Sequence, residues 1–220
     1  AFVVAEDEDI AEDALELIEI EYEKLPFVVD SEEAITPGSP KIHPNGNLWG
    51  GKPSVYSRGD VEKSIAGADV VLKETFRTQS VVQNSMETHG SVVQWDSDSL
   101  TVWDSTQDIN HVRTELSNKL KIPINKINVI TNYMGGGFGS KNELGKYTVL
   151  AALASKRINR PVKVIYDRIE ENLATGYRTP TTQHVTMSCN KDGELLALKL
   201  EAIINLGYSA KWIPDVAGVY

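Results

Sequence analysis

Four glycines fall in five positions of the run Met134-Gly135-Gly136-Gly137-Phe138-Gly139-Ser140-Lys141, and this loop constrains the chain more than any other feature. Glycine is favoured where the backbone takes left-handed torsions or comes close to a ligand, because no Cβ stands in the way. A strand-like run, Ile127-Asn128-Val129-Ile130, leads in, and a helix-like run beginning near Glu143 leads out. The free N–H groups and positive dipole end of such a helix start suit an anionic or oxo ligand. Phe138 is the one large apolar side chain between the glycines, placed to wall one side of a small site.

Two phosphate-binding patterns do not fit this loop. A Walker A loop needs G-x-x-x-x-G-K-[ST], but Lys141 follows Ser140 and precedes Asn142. The dinucleotide fingerprint needs G-x-G-x-x-G; Gly135 and Gly137 match, and Ser140 stands where the last glycine belongs. On the glycines alone, a tight strand-to-helix turn that binds nothing stays open.

Around the loop, helix and strand periods mix in the manner of an α+β fold. Strands are expected over Val70 to Thr78, Val92 to Trp95 and Leu100 to Trp103, with Asp96-Ser97-Asp98-Ser99 turning the last two into a hairpin. Asp108 has the character of an N-cap, with Ile109, Val112, Leu116 and Leu120 following on one face and Pro123 ending the helix. A second helix is expected over Glu143 to Lys156, its stripe formed by Leu144, Tyr147, Ala151 and Ala154. Val162 to Tyr166 reads as a strand, and Val185 to Cys189 with Leu195 to Asn205 as a hairpin around Asp192-Gly193. Residues 2–22 read strand, helix, strand, since Ala11, Ala14, Leu15 and Ile18 repeat at helical spacing and Ile18-Glu19-Ile20-Glu21-Tyr22 alternates. Residues 30–56, dense in proline and glycine, read as a linker.

Charge and cysteine usage narrow the function classes. A net charge of −9 and a pI near 5.0 disfavour nucleic acid as a partner. The acids clustered from Glu6 to Glu23 read as a solvated helix face. One cysteine, Cys189, excludes an internal disulfide and any multi-cysteine metal site, and its alternation with Val185 and Met187 reads as a buried structural thiol. No run approaches a membrane span, and the composition suits a cytoplasmic segment.

Five motifs then stand in a shared order. They are Glu87-Thr88-His89, Thr106-Gln107, Met134 to Lys141, Asp167-Arg168-Ile169-Glu170, and Thr175-Gly176-Tyr177-Arg178-Thr179-Pro180. With these the chain resembles the molybdenum-binding large subunit of the xanthine dehydrogenase/aldehyde oxidase family, the molybdenum hydroxylases. The resemblance implies an α+β chain made of the tail of an α/β hammerhead domain (residues 1–29), the linker (30–56), and the N-terminal part of the molybdenum cofactor-binding domain (57–220). It also implies a fragment. Ala1-Phe2-Val3-Val4 would be the last hammerhead strand, and Tyr220 falls before the family's later arginine segment and its base glutamate, so the piece alone is expected to be inactive.

The chemistry implied by the resemblance is oxidative hydroxylation of an N-heterocycle or aldehyde with oxygen from water. The cofactor is molybdenum-molybdopterin, the cytosine dinucleotide form of the pterin being admitted. Electrons pass to iron–sulfur clusters and FAD on partner subunits, since this chain lacks the cysteine sets that clusters need. No protein atom is expected on the metal itself. Gln107 is the expected amide donor to the oxo group, because a neutral amide donates without competing for the metal. Gly136, Gly137, Phe138 and Gly139 are expected to line the cofactor, with the N–H groups of Phe138 and Gly139 facing the metal and Phe138 walling the substrate channel. Xanthine-oxidising relatives carry a glutamate directly after the loop lysine. Here that position is Asn142, with Glu143 one residue later, and one residue at a helix start turns a side chain by about 100°. Asn142 is thus an uncharged substrate contact, which argues against xanthine.

The remaining polar residues read as structural. Glu87 and His89 share a strand face but are too few for a metal site, so His89 reads as a hydrogen-bonded structural histidine. Asp167, Glu170 and Glu171 read as helix-start charges. Two rival classes are a non-catalytic assembly domain, binding the rest of its subunit or the iron–sulfur and FAD subunits without cofactor, and a nucleotide-binding dehydrogenase module. The second lacks the third fingerprint glycine.

Overall fold

A computed structural model describes residues 1–208 of the chain. In chain order its elements are α1 (Glu8–Glu16), α2 (Ser31–Ala34), α3 (Val61–Ala66), β1 (Val70–Thr78), β2 (Gly90–Asp96), β3 (Ser99–Asp104), α4 (Ile109–Leu120), β4 (Ile127–Ile130), α5 (Lys146–Ile158), β5 (Val162–Ile165), α6 (Arg168–Ala174), β6 (Thr181–Cys189) and β7 (Leu195–Ile204). They fold into two compact units that interleave along the chain. The first takes residues 1–22 and 82–178, the second, among the described residues, 23–81 and 179–208.

The first unit is built on a four-stranded sheet of order β4-β3-β2-β5. The turn at Ser97, left-handed at φ 52°, closes β2 and β3 into the expected antiparallel hairpin. β3 then returns through α4 to pair in parallel with β4, which places α4 against β4. α5 covers β2 and β5 and touches α4, so both helices shield one face. Between helices and sheet lie Val93, Leu100, Val102, Val112, Leu116, Ile127, Val129, Leu144, Ala151, Ala152 and Val162. Burial of such side chains is worth roughly 1.5–3 kcal/mol for each of the larger ones. Asp108 caps α4 by accepting from the His111 N–H at 2.9 Å.

The second unit holds a three-stranded antiparallel sheet, β1-β6-β7, with α3 packed on β7. Its breaker-rich stretch is ordered by one side chain. Asn47 accepts from the Ile42 N–H at 2.8 Å and donates to the carbonyls of Ala34 and Pro40 at 2.8 and 2.9 Å. Such local side-chain bonds substitute for a ladder where proline and glycine prevent one.

Three expectations are corrected. Residues 2–4 and 18–22 are not strands; α1 alone forms between them. An alternating run becomes a strand only beside a neighbour that completes its hydrogen bonds, and none of the described strands pairs with either run. Cys189 is half-buried rather than buried, because the buried positions of β6 are Thr182 and Ser188, on the opposite face. The helix after the glycine loop begins at Lys146, not Glu143, with Gly145 as its N-cap. No helix among the described residues is long and apolar enough to cross a membrane.

Candidate functional site

The glycine loop runs from the end of β4 toward α5 and lies across two other chain ends of the first unit, the segment entering β2 and the segment leaving β3. Glu87, just before β2, fastens it. Its Oε2 accepts from the Gly135 N–H at 2.9 Å, the Ser105 hydroxyl at 2.6 Å and the Lys141 ammonium at 3.0 Å. Its backbone N–H donates to the Gly135 carbonyl at 3.2 Å, and Lys141 Nζ also donates to the Glu87 carbonyl at 2.8 Å. Burial pushes the Glu87 carboxyl up, but Ser105, Gly135 and Lys141 outweigh it and hold it below its ordinary 4.5. The Lys141 side chain is wholly buried, an arrangement tolerated only where every charge is met.

Gln107 fastens the other end. Its backbone N–H donates to the Lys141 carbonyl at 2.8 Å, and the Thr106 hydroxyl donates to the same carbonyl at 2.9 Å. The Gln107 Oε1 accepts from the Gly139 N–H at 2.8 Å and, at 3.4 Å, from the Lys141 N–H. These bonds decide which way the amide points, since only its oxygen can accept. Its Nε2 therefore turns away from the loop as a donor, and no protein acceptor among the described residues takes it.

The glycines are needed at specific contacts. A Cβ on Gly137 would stand 2.4 Å from Gln107 Oε1, and one on Gly135 would stand 2.5 Å from Glu87 Cβ. Gly139 has φ +91° and open space beyond it. Phe138 is left-handed at φ 50°, a conformation costing about 1–3 kcal/mol for a residue with a side chain. Arg178 helps to hold it, donating to the Phe138 carbonyl at 3.0 Å, and Phe138 is 63% exposed.

Several expected placements change. The Gly139 N–H is taken by Gln107, so of the two expected backbone donors only Phe138 N–H is without a protein acceptor among the described residues. The loop is not a helix start. Ser140 turns it back, its N–H and hydroxyl donating to the Gly137 carbonyl at 2.9 and 2.7 Å, and α5 begins only at Lys146. Asn142 is exposed in that turn, so the helical offset between Asn142 and Glu143 does not apply. Glu143 instead meets His111 Nε2 of α4 at 3.3 Å. Gln107, Gly137, Phe138 and Gly139 do come together; Gly136, φ +99°, lies against Ser85 and the Phe138 ring.

Beneath the loop lies a polar cluster that sequence patterns do not reveal. His89 is structural, as expected, and its Nδ1 lies 2.9 Å from both oxygens of Glu171. Glu171 is not a surface helix-start charge: it is 1% exposed, while Asp167 and Glu170 alone make the capping box of α6. Arg168 donates to Asn84 Oδ1 and to the carbonyls of Ser85 and Met86, holding the segment before Glu87. Asp104 is buried at the end of β3, and burial lifts its carboxyl to about 6, against the opposing pull of the Thr148 hydroxyl, His89 and Lys141.

The family described as the molybdopterin cofactor-binding domain matches residues 43–219. A probable xanthine dehydrogenase subunit of Bacillus subtilis is 35% identical over 98% of this chain and 29% of its own length. The nicotinate dehydrogenase large molybdopterin subunit of Eubacterium barkeri is 33% identical over 98% of this chain and 50% of its own. The solved quinoline 2-oxidoreductase of Pseudomonas putida 86 superposes with a TM-score of 0.84 at 32% identity, covering 90% of this chain and 25% of that one. The chain thus spans between about a quarter and a half of these relatives.

Proposed function

The chain belongs to the molybdopterin cofactor-binding domain family, and from that membership we propose that it is part of the catalytic subunit of a molybdenum hydroxylase. The single observation carrying this reading is the Gln107 amide. The loop holds its oxygen and leaves its Nε2–H group as a donor with no protein acceptor among the described residues. Such a neutral donor fits an oxygen-bearing cofactor.

When bound, the molybdenum cofactor supplies two-electron oxidation of a substrate carbon with oxygen taken from water. Gln107 orients it by a hydrogen bond from Nε2. The Phe138 N–H adds a second donor, and Gly137 and Gly139 let backbone come close. The exposed Phe138 ring stands where an apolar wall can select a flat substrate, and Asn142 offers an uncharged polar contact. That pairing favours an N-heterocycle or aldehyde, with the cytosine dinucleotide form of the pterin admitted. Residues 1–29 would be the hammerhead tail and 57–220 the first part of the cofactor domain. The remaining partners are the rest of the subunit and iron–sulfur and FAD subunits, in the cytoplasm.

The test is molybdenum content by mass spectrometry of the native complex purified through this chain. Near one molybdenum per chain, kept in Gln107→Ala while turnover is lost, supports the reading. An assembled complex without molybdenum overturns it and favours an assembly domain.

A further inference from the structure

The loop is also held from below, by a chain of contacts that starts on α6. Glu171 grips His89 twice: Oε2 accepts from the His89 backbone N–H at 2.7 Å, and both carboxylate oxygens lie 2.9 Å from Nδ1. With Nδ1 held in this way, Nε2 points up at the Ser140 carbonyl, 3.1 Å away. A carbonyl can only accept, so Nε2 carries the hydrogen in that bond. Ser140 directly follows Gly139, whose N–H donates to Gln107 Oε1. Both members are sequestered, His89 at 6% and Glu171 at 1% exposure, so water does not replace either bond.

Resting on the reading of Gln107 as the cofactor's donor, we propose that Glu171 and His89 are positioning residues: they fix the Ser140 carbonyl, and through it the Gly139 N–H that aims the Gln107 amide. Three features support this over simple packing. The pair ties α6 and the residue entering β2 to the glycine loop, segments far apart in sequence. Its acceptor, the Ser140 carbonyl, belongs to the same peptide unit as the Lys141 N–H and lies one residue past Gly139, the two N–H groups that hold the amide oxygen. A carboxylate that grips both the backbone and the ring of one histidine leaves the imidazole no other orientation. Carboxylate–histidine supports of this kind set the direction of groups around metals elsewhere, and their removal costs about 10–100-fold in activity or metal affinity.

The experiment introduces Glu171→Gln into the native complex. It reads hydrogen exchange of the peptide covering residues 134–145, molybdenum per chain, and kcat and KM per molybdenum. The expected result is faster exchange in that peptide with unchanged exchange in the peptide covering β2 and β3. With it, kcat per molybdenum falls at least about tenfold and KM stays within about twofold. Loop exchange equal to wild type, or a loss spread equally over loop and core, overturns the proposal. If Glu171→Gln does not assemble, Glu171→Asp, which keeps the charge and shortens its reach, decides by the same readings. A wild-type complex without molybdenum overturns the proposed function instead, and the exchange comparison still decides whether the pair holds the loop.

Discussion

Gln107 Oε1 lies 2.8 Å from the backbone nitrogen of Gly139, and the same oxygen would be only 2.4 Å from a Cβ on Gly137. The amide is therefore seated on the loop through two positions at once, one bonding it and one leaving room for it. Whatever crowds the second breaks the first.

Gly137→Ala tests that seat. The atoms in its way are the oxygen, Cδ and Cγ of Gln107, the far end of a flexible side chain, so the fold can yield. We expect a stability loss of about 1 kcal/mol, the net worth of one hydrogen bond, with a fall in turnover per molybdenum of about tenfold or more. Gly135→Ala is expected to do the reverse. Its Cβ meets Glu87 Cβ at 2.5 Å and the Glu87 backbone nitrogen at 3.3 Å, so main chain must move and assembly suffers first. Thermal midpoints and turnover of the two variants, side by side, check the contrast.

Lys141→Met removes a buried cation that donates to the Glu87 carbonyl and carboxylate. Because the Glu87 side chain is 41% exposed, water can take over part of its solvation, so the cost is expected near 2–3 kcal/mol rather than the larger loss of a fully enclosed pair. The sign with pH follows. The folded Glu87 carboxyl lies below its ordinary 4.5, so it contributes stability above that value, lost as pH falls through the folded value. Lys141→Met should therefore flatten the acid side of the thermal midpoint against pH.

Asp104 works in the opposite direction. Burial lifts its carboxyl from 3.8 to about 6, so the folded state holds a proton that the unfolded state has lost. Its contribution is fully present below pH 3.8 and declines as pH rises toward 6, by about 3 kcal/mol in all. Asp104→Asn, neutral at every pH and still able to accept from Thr148, should lack that decline. Measured at pH 4 and pH 7, the thermal midpoint of the variant relative to wild type is expected to rise at the higher pH; no relative change would show that burial does not govern this carboxyl.

Regular elements and the glycine loop were legible in the sequence because local periodicity and capping decide them. β1 spans the expected Val70–Thr78, and α4 follows its Asp108 cap to Leu120. What failed depends on distant partners. The alternation of Ile18 to Tyr22 made no strand because no described strand pairs with it. The helix after the loop began late because Ser140 and Lys141 are engaged by Gly137, Glu87 and Gln107, contacts that span 3 to 54 positions. Glu171 looked like a helix-start charge beside Glu170, and only the fold puts His89, 82 positions away, against it. The Thr106-Gln107 motif marked the right side chain, but the direction of its amide became readable only once Gly139 stood beside it.

That direction can be tested without disturbing the seat. Gln107→Glu keeps an oxygen where Oε1 accepts from Gly139 and Lys141, and replaces the Nε2 donor with a second oxygen. An ionised carboxylate only accepts, so the donor is lost and a negative charge is added in one step. Hydrogen exchange across residues 134–145 should match wild type, while turnover per molybdenum falls by about 10²–10³, the usual cost of losing one well-placed donor. A protonated carboxyl donates again, so the residual turnover should climb as pH falls toward the carboxylate range, where wild type gains nothing. An intact loop with wild-type turnover would mean that Gln107 acts through packing alone, and the donor role would fall with it.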